Sequence, residues 1–431
     1  MSATRKSGYK PSSVGSFPST WKVKSLSHIT RECKTRNNGA IDDKLLCGVL
    51  KSQGLVPMRE RVKGVSTDRC KVVVPDAFAY NPMRLNIGSI ARNTRKNAVM
   101  VSPDYVVFAA DPLELLPSYL DQVRRSGLWE RYVGASGDGS VRVRIYYEDL
   151  ARLEIPIPPI PEQQKIAELL SDVDNKLDII ARQIEATQTL KQGLMQTLFS
   201  RGVGTKDANG RWVPHTEFRD SELGEIPAEW RVAEIQSIAE VIRGASPRPQ
   251  GDPRYYGGDV PRLMGADVTR DGKWVTPQID FLTQEGAKRS RPCPRGTLTI
   301  ICSGDVGIPS FLAVDACIHD GFLALINIDE ARASKDYLYH VIVSLKQRLD
   351  ASATYGGVFT NLTTTILKEF RLPLPSIAEQ EKIAAALDAV DEKIAVTEKR
   401  HRHFQTLKRG LMQRLLTGEW RVRLDASATG T

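Results

Sequence analysis

No stretch of this chain approaches the roughly 18 uninterrupted apolar residues that a membrane-crossing helix needs. The opening, MSATRKSGYKPSS, has no apolar signal core and reads as a flexible tail. Both absences point to a cytoplasmic protein with no membrane role. Cysteine is scarce, with six in 431 residues and no C-x-x-C pair. Cys33, Cys47, Cys70, Cys293, Cys302 and Cys317 are therefore expected to be reduced and mostly buried. The six histidines complete no zinc pattern, and His401 and His403, two apart, point different ways on a helix. Catalytic signatures are missing too. There is no G-x-x-x-x-G-K-[ST] phosphate loop and no G-x-S-x-G elbow. The nearest string to [DN]-P-P-[FYW] is Asn81-Pro82-Met83-Arg84, which lacks the second proline and the aromatic. Adjacent acids such as Asp42-Asp43 read as solvated loop. The expectation is a non-enzyme with no metal or cofactor of its own. The net charge of +9 is a modest excess that suits a polyanionic partner.

What the chain does contain is a long helical segment written twice. Residues 155–201 and 372–418 align without a gap at a shift of 217, with about half the positions identical. Each begins with prolines that hold an extended approach (Ile155-Pro156-Ile157-Pro158-Pro159-Ile160-Pro161 in the first) and then turns helical, with an acid, Glu162 or Glu379, favoured near the helix start. Apolar residues follow at heptad spacing. In the first copy they are Ile166, Leu170, Val173, Leu177, Ile180 and Ile184, then Leu190, Leu194 and Leu198. In the second they are Ile383, Leu387, Val390 and Ile394, then Thr397, His401 and Phe404, then Leu407, Leu411 and Leu415. Two such helices can pack on each other, and an antiparallel pairing would set the globular units before them at opposite ends.

A second repeated mark, G-x-Φ-P-x-x-W (Φ apolar), opens each unit at Gly15-Ser16-Phe17-Pro18-Ser19-Thr20-Trp21 and Gly224-Glu225-Ile226-Pro227-Ala228-Glu229-Trp230. The marks divide the chain into a tail (1–13), a globular region (14–154), a long helix segment (155–201), a connector (202–222), a second globular region (223–371), a second long helix segment (372–418) and a closing tail (419–431). Strand-like runs at Lys71–Val74, Tyr105–Phe108, Val141–Tyr146, Val260–Met264, Gly296–Ile301 and Phe322–Ile326 mix with helical patches at Leu116–Tyr132 and Ser334–Leu349. The fold class is α+β, with two mixed α/β globular regions joined by two long helices. The borders of the two regions are alike and their contents are not, which suggests two modules with the same task and different targets.

These borders resemble the specificity subunit of type I restriction-modification systems. The resemblance rests on Pro156-x-Pro158-Pro159-Ile160-x-Glu162-Gln163-x-Lys165-Ile166-Ala167 and Leu372-Pro373-x-Pro375-x-Ile377-x-Glu379-Gln380-x-Lys382-Ile383-Ala384. It rests also on Leu190-Lys191-x-Gly193-Leu194-Met195-Gln196, its copy Leu407-Lys408-x-Gly410-Leu411-Met412-Gln413, and the opening Glu222-Leu223-Gly224-x-Ile226-Pro227-x-x-Trp230. It covers about 14–418, and the first opening departs from it mildly, with Phe17 where the second has Ile226. The resemblance implies two target recognition domains, each reading one half of a split double-stranded DNA site. The helices would form an antiparallel coiled coil with an internal pseudo-twofold repeat, fixing the spacer and docking two methyltransferase subunits. S-adenosylmethionine would belong to the methyltransferase, which acts on adenine, and ATP with Mg2+ to restriction/translocase subunits.

Base reading needs Arg, Lys, Asn or Gln at groove edges, with basic or hydroxyl groups on phosphates. Candidates in the first region are Arg84, Arg92, Asn93, Arg95, Lys96, Arg142 and Arg144. In the second they are Arg243, Arg248, Arg254, Tyr255, Tyr256, Arg262, Lys288, Arg289, Arg291, Arg295, Tyr355 and Asn361. For interhelix packing and partner docking the candidates are Ile166, Leu170, Val173, Leu177, Gly193, Leu194, Met195, Ile383, Leu387, Val390, Ile394, Gly410, Leu411 and Met412. Gly193 and Gly410 are costly inside helices, by about 1 kcal/mol against alanine, and would permit close approach either of the two helices or of a partner. The competing reading is a coiled-coil scaffold joining two protein-binding modules without DNA. A third, an enzyme with a self-contained nuclease or methyltransferase site, finds no motif.

Overall fold

The structure, a computed structural model, describes residues 8–51, 53–58, 66–135, 144–356 and 359–423, with the backbone alone at 354–356, 359 and 360. It forms two compact units: Met1–Arg182 with Lys399–Thr431, and Gln183–Glu398. Each unit therefore holds a globular region, the start of one long helix and the end of the other. The helices run Ile160–Arg201 and Ile377–Leu415.

In the first unit a hairpin, Tyr9–Ser12 with Gly15–Pro18, delivers the chain to Trp21. The strand Lys22–Ser25 then pairs antiparallel with Glu154–Ile157. The proline-rich approach, sequence-assigned to the helical segment, is thus partly a strand that closes the globular region on its own beginning. Between these borders lie two four-stranded sheets and the helices Pro117–Val123 and Gly127–Ala135. Strands occur at Lys71–Val73 and Val106–Ala110 as the patterning predicts. Of the expected strand at 141–146, residues 141–143 lie outside the described residues and 144–146 are irregular. The core gathers Trp21, Phe78, Phe108, Tyr119 and Ile155 with Ile166 and Leu170 of one long helix and Leu415 of the other.

The second unit repeats the frame around other contents. Its hairpin is Phe218–Ser221 with Gly224–Pro227, and Arg231–Glu234 pairs with Arg371–Leu374. Inside are a five-stranded and a four-stranded sheet and the helices Lys335–Ser344 and Lys346–Ser352. The core joins Trp230, Leu298, Phe311 and Tyr337 to Leu198 of one long helix and Ile383 and Leu387 of the other.

Two adjacent side chains at the start of each long helix tie the frame together. Glu162, 2% exposed, accepts the Trp21 indole N–H at 2.9 Å and the Arg421 guanidinium at 2.7 Å. Glu379, equally buried, accepts the Trp230 indole at 2.9 Å, His215 Nε2 at 3.0 Å and the backbone N–H of Val203 at 2.9 Å. Each glutamate thus holds an opening tryptophan and the chain that leaves the end of the other long helix. That chain turns at Gly202 (φ +68°) and Gly418 (φ +69°), left-handed positions that favour glycine at a helix end. A Cβ at Gly202 would also stand 2.7 Å from the Trp230 ring. Gln163 and Gln380, both fully buried, satisfy three backbone groups each. Gln380 accepts from Ser334 N–H and donates to the carbonyls of Arg332 and Pro375, and Gln163 does the same with Leu116, Glu114 and Pro158.

The helix seam holds at Ile166, Leu170, Ile180, Ile383 and Leu387, which are buried, and Val173, Leu177, Val390 and Ile394 are half-buried. It fails at Leu190 and Leu407, which are 56% and 41% exposed. The neighbouring lysines turn inward instead. Lys191 reaches Asp391 at 2.6 Å in the second unit, and Lys408 pairs with Asp174 in the first. Their alkyl stems cover apolar surface while the ammonium groups meet acids on the facing segment. In the first unit Glu162 meets Arg421 and Asp174 meets Lys408, and in the second Val203 meets Glu379 and Lys191 meets Asp391, so the helix segments within each unit run antiparallel.

Where the second unit's helix packs on its globular region, His340 Nε2 meets Asp388 Oδ1 at 2.8 Å. Lys273 also reaches Asp388, and Asp391 stands beside them. In the first unit Gln122 and Ser171 take the same places at 3.4 Å.

Replacing Glu379 with Gln keeps the shape and removes the charge that receives four donors, from Trp230, His215 and the backbone N–H groups of Val203 and Gly204. This should lower stability by about 2 kcal/mol, read as a shifted denaturant midpoint, and an unchanged midpoint would refute the clamp. A second expectation concerns acid. Burial lowers the His340 pKa, against the pull of Asp388. Burial raises that of Asp388, but Lys273 and His340 bring it down overall. Both folded values are depressed, so the stability they confer is present at pH 7.5 and declines as pH falls, with the histidine contribution starting near its ordinary value of 6.5. His340→Gln, which copies the first unit, should flatten the melting-temperature profile between about pH 6.5 and 5.

Candidate nucleic-acid interface

In the first unit the strand Ile90–Arg92, the loop after it and the helix Pro117–Val123 border a cleft of about 770 Å³. Lys51, Arg92, Arg95, Arg124 and Arg125 line it, together with Asp121, Asp174 and Asp178. Most of these cations are committed. Arg92 reaches Asp76 at 3.1 Å, and Arg95 donates to the Leu55 carbonyl at 3.0 Å. Arg124 and Arg125 share Asp121. Arg84 and Lys96 are exposed and make no ion pair among the described residues. Asn93 does not belong with them. It is 1% exposed and its amide donates to the carbonyls of Val73 and Asn97, so it shapes the loop and cannot reach a base edge as placed. Arg144 is exposed beside Tyr146. Arg142 and the Gly137-Asp138-Gly139 loop lie outside the described residues.

In the second unit the fold gathers Arg243, Arg248, Arg291 and Asn361 around Asp320. Arg243 donates to the Asp320 carbonyl at 3.0 Å and to Asn361 Oδ1 at 3.4 Å. Arg291 donates to the Arg243 carbonyl at 3.2 Å, and Arg248 stands 3.7 Å from the Asp320 carboxylate. The Ser246 hydroxyl, with Arg248 adding to it, holds the Asp320 carboxyl below the usual carboxylate range. A second group forms where Arg254 and Arg289 lie over the Tyr255 ring at 5.3 and 4.8 Å, with Lys288 exposed nearby. Three candidates are internal here. Arg262 is 6% exposed, pairs with Asp280 and lies over Tyr256. Tyr256 spends its hydroxyl on the Pro247 carbonyl at 2.8 Å, and Tyr255 is 6% exposed beneath its arginines. All three brace the loop that carries Arg248 and Arg254. Arg295 is exposed and apart from both groups. For Tyr355 only the backbone is described, in the hairpin Thr354–Gly356 with Phe359–Asn361.

The long helices hold a further correction. Gly193 and Gly410 are exposed, and a Cβ at either would meet nothing within 4 Å. Close approach of the two helices to each other is therefore not what these glycines allow. Leu194, Met195, Leu411 and Met412 are partly buried and pack on the unit cores. The residues sequence reasoning missed are Gln163 and Gln380, and Lys191 and Lys408 with their aspartates. The repeated Glu-Gln pair was visible, but the glutamines' partners at Leu116, Glu114, Ser334 and Arg332 lie 46 to 49 residues away.

Chemically the surfaces offer cations and amides. The thiols of Cys293 and Cys302 are pushed up to about 11 by burial, which leaves them protonated near neutrality. The His340, Asp388 and Asp391 trio already has positive charge from Lys273 and Lys191. Among the described residues no helix is long and apolar enough to cross a membrane.

A family model described as the type I restriction modification DNA specificity domain matches residues 135–188 and 227–403, more than half the chain. The chain belongs to that family. Among its relatives, the type I restriction enzyme MjaVIII specificity subunit of Methanocaldococcus jannaschii is 25% identical over 63% of this chain and 63% of its own length. The HindI specificity subunit of Haemophilus influenzae is 20% identical over 93% and 100%. The fold is also similar to the crystal structure of a type I restriction-modification S subunit from M. genitalium. That match has a TM-score of 0.56 and 16% identity, and covers 92% of this chain and 96% of the other.

The burial pattern separates the candidates by experiment. Asn93→Ala should lower the melting midpoint, at a cost of about 1–3 kcal/mol for the orphaned carbonyls. Arg84→Ala and Lys96→Ala should leave it unchanged. Equal effects in thermal denaturation would overturn the division.

Proposed function

We propose that this chain is the non-catalytic DNA specificity subunit of a type I restriction-modification complex. The observation that carries the reading is the frame built twice around different contents. Hairpin, tryptophan, closing strand and long helix recur, while the enclosed sheets and arginine groups differ. Each globular region reads one half of a split duplex site, the first through the Arg84, Arg92 and Lys96 surface and the second through the Arg243, Arg248 and Asn361 group. The long helices form an antiparallel coiled coil that sets the spacer and docks two methyltransferase subunits. S-adenosylmethionine and the adenine chemistry belong to those subunits, and ATP with Mg2+ to any restriction subunits. The work is done in the cytoplasm. Committed arginines suit this task, because a side chain already held by Asp320 or Asn361 reaches a base edge with less ordering left to do.

Co-expression with the neighbouring methyltransferase subunit, followed by mapping of methylated adenines across host DNA, should return one split motif with a fixed gap. Inserting four residues after Ile184, about one helical turn, should change the gap and leave both half-sequences intact. A stable complex that methylates nothing would favour a scaffold without DNA. Changed half-sequences at an unchanged gap would refute the ruler.

A further inference from the structure

We propose that one exposed face of the second long helix, carrying Lys399, Arg402 and Arg409, grips the phosphate backbone of duplex DNA without reading sequence. The proposal rests on the reading that this chain binds DNA, and adds a contact outside both globular regions. Residues 399–409 read KRHRHFQTLKR, with five basic residues, two histidines and no acid. Lys408 is turned inward to Asp174. Lys399, Arg400, Arg402 and Arg409 are exposed and have no ion pair among the described residues. Arg400 lies over the Phe404 ring at 5.9 Å, and Arg409 donates to Thr406 Oγ1 at 3.4 Å. Lys399, Arg402 and Arg409 share one helix face.

The repeat argues that the partner is a polyanion and not the protein docked by both helices. Positions that serve a partner met twice should be the same twice, as Leu190 and Leu407, Gly193 and Gly410, and Gln196 and Gln413 are. The basic face is repeated at one position and not at the other two: Lys399 corresponds to Arg182, but Arg402 corresponds to Glu185 and Arg409 to Gln192. A packed protein interface used twice would not accept a reversal of charge. A phosphate contact made once, at the end of the second helix that belongs to the first unit, has no need of a matching copy.

The test uses the full chain in complex with its methyltransferase subunits and the triple variant Lys399→Gln, Arg402→Gln, Arg409→Gln. Dissociation constants are measured from low to moderate salt on a duplex with the mapped site and on one with both half-sites scrambled. Removing three phosphate contacts should reduce the slope of log affinity against log salt by about 2.7. Affinity should fall by the same factor on both duplexes, with the methylated motif and its gap unchanged. An unchanged slope overturns the proposal, whatever the affinity. Loss of methyltransferase subunits from the complex with an unchanged slope would assign the face to protein docking. If the unaltered complex shows no salt-dependent binding to either duplex, the DNA reading itself fails, and the proposal with it.

Discussion

Everything in each unit depends on a buried carboxylate at the first turn of a long helix. Glu162 and Glu379 are charges almost out of water, a costly placement unless every lone pair is met. They are met by an indole from the start of the globular region and by donors from the chain that leaves the other helix. Three separate pieces of sequence converge on one side chain. The next residue, Gln163 or Gln380, repeats the device for backbone groups. The repeated Glu-Gln pair is thus internal fastening, and its burial keeps it from DNA or a partner as placed.

Such a fastening explains how one frame can carry unlike contents. The strands that close each globular region pair Lys22–Ser25 with Glu154–Ile157 and Arg231–Glu234 with Arg371–Leu374. Both ends of the variable chain are therefore pinned beside the clamp. Whatever lies between can differ in strand number, because clamp and helices meet it at a small set of places: Tyr119 and Tyr337, the backbone beside Leu116 and Ser334, and the Gln122–Ser171 and His340–Asp388 contacts. Those two tyrosines themselves repeat a bond, to the Pro156 and Pro373 carbonyls. Divergence reaches the frame itself where Gln122–Ser171 in one unit becomes His340–Asp388 in the other.

The frame was legible in the sequence because it is written twice. Helix spans, connector and opening motif follow from self-comparison, and Ile166, Leu170, Ile383 and Leu387 from heptad spacing. The seam was misread at Leu190 and Leu407 because hydrophobic spacing assumes that leucine outranks lysine for the interior. An acid across the seam reverses that order, and Asp174 and Asp391 are invisible to a pattern that scores one helix at a time. The binding surfaces were legible only as composition. A basic run does not reveal which members are spent on the fold, so Asn93, Arg262 and Tyr255 looked no different from Arg84 or Lys96. Separating them needs carbonyls and carboxylates from strands distant in sequence.

The outward-facing leucine and glycine of each helix follow from the same inward turn of lysine. Once Lys191 and Lys408 take the seam, the residue before each is placed outside and the glycine two residues after each lies on open surface. A helical glycine costs about 1 kcal/mol against alanine, whereas a single exposed leucine is ordinary on a protein surface. The glycine cost is carried in both copies, and among the described residues nothing comes within 4 Å of a Cβ at either position. The proposed docking of two partner subunits would give one such surface to each, set by which side of a lysine faces the seam.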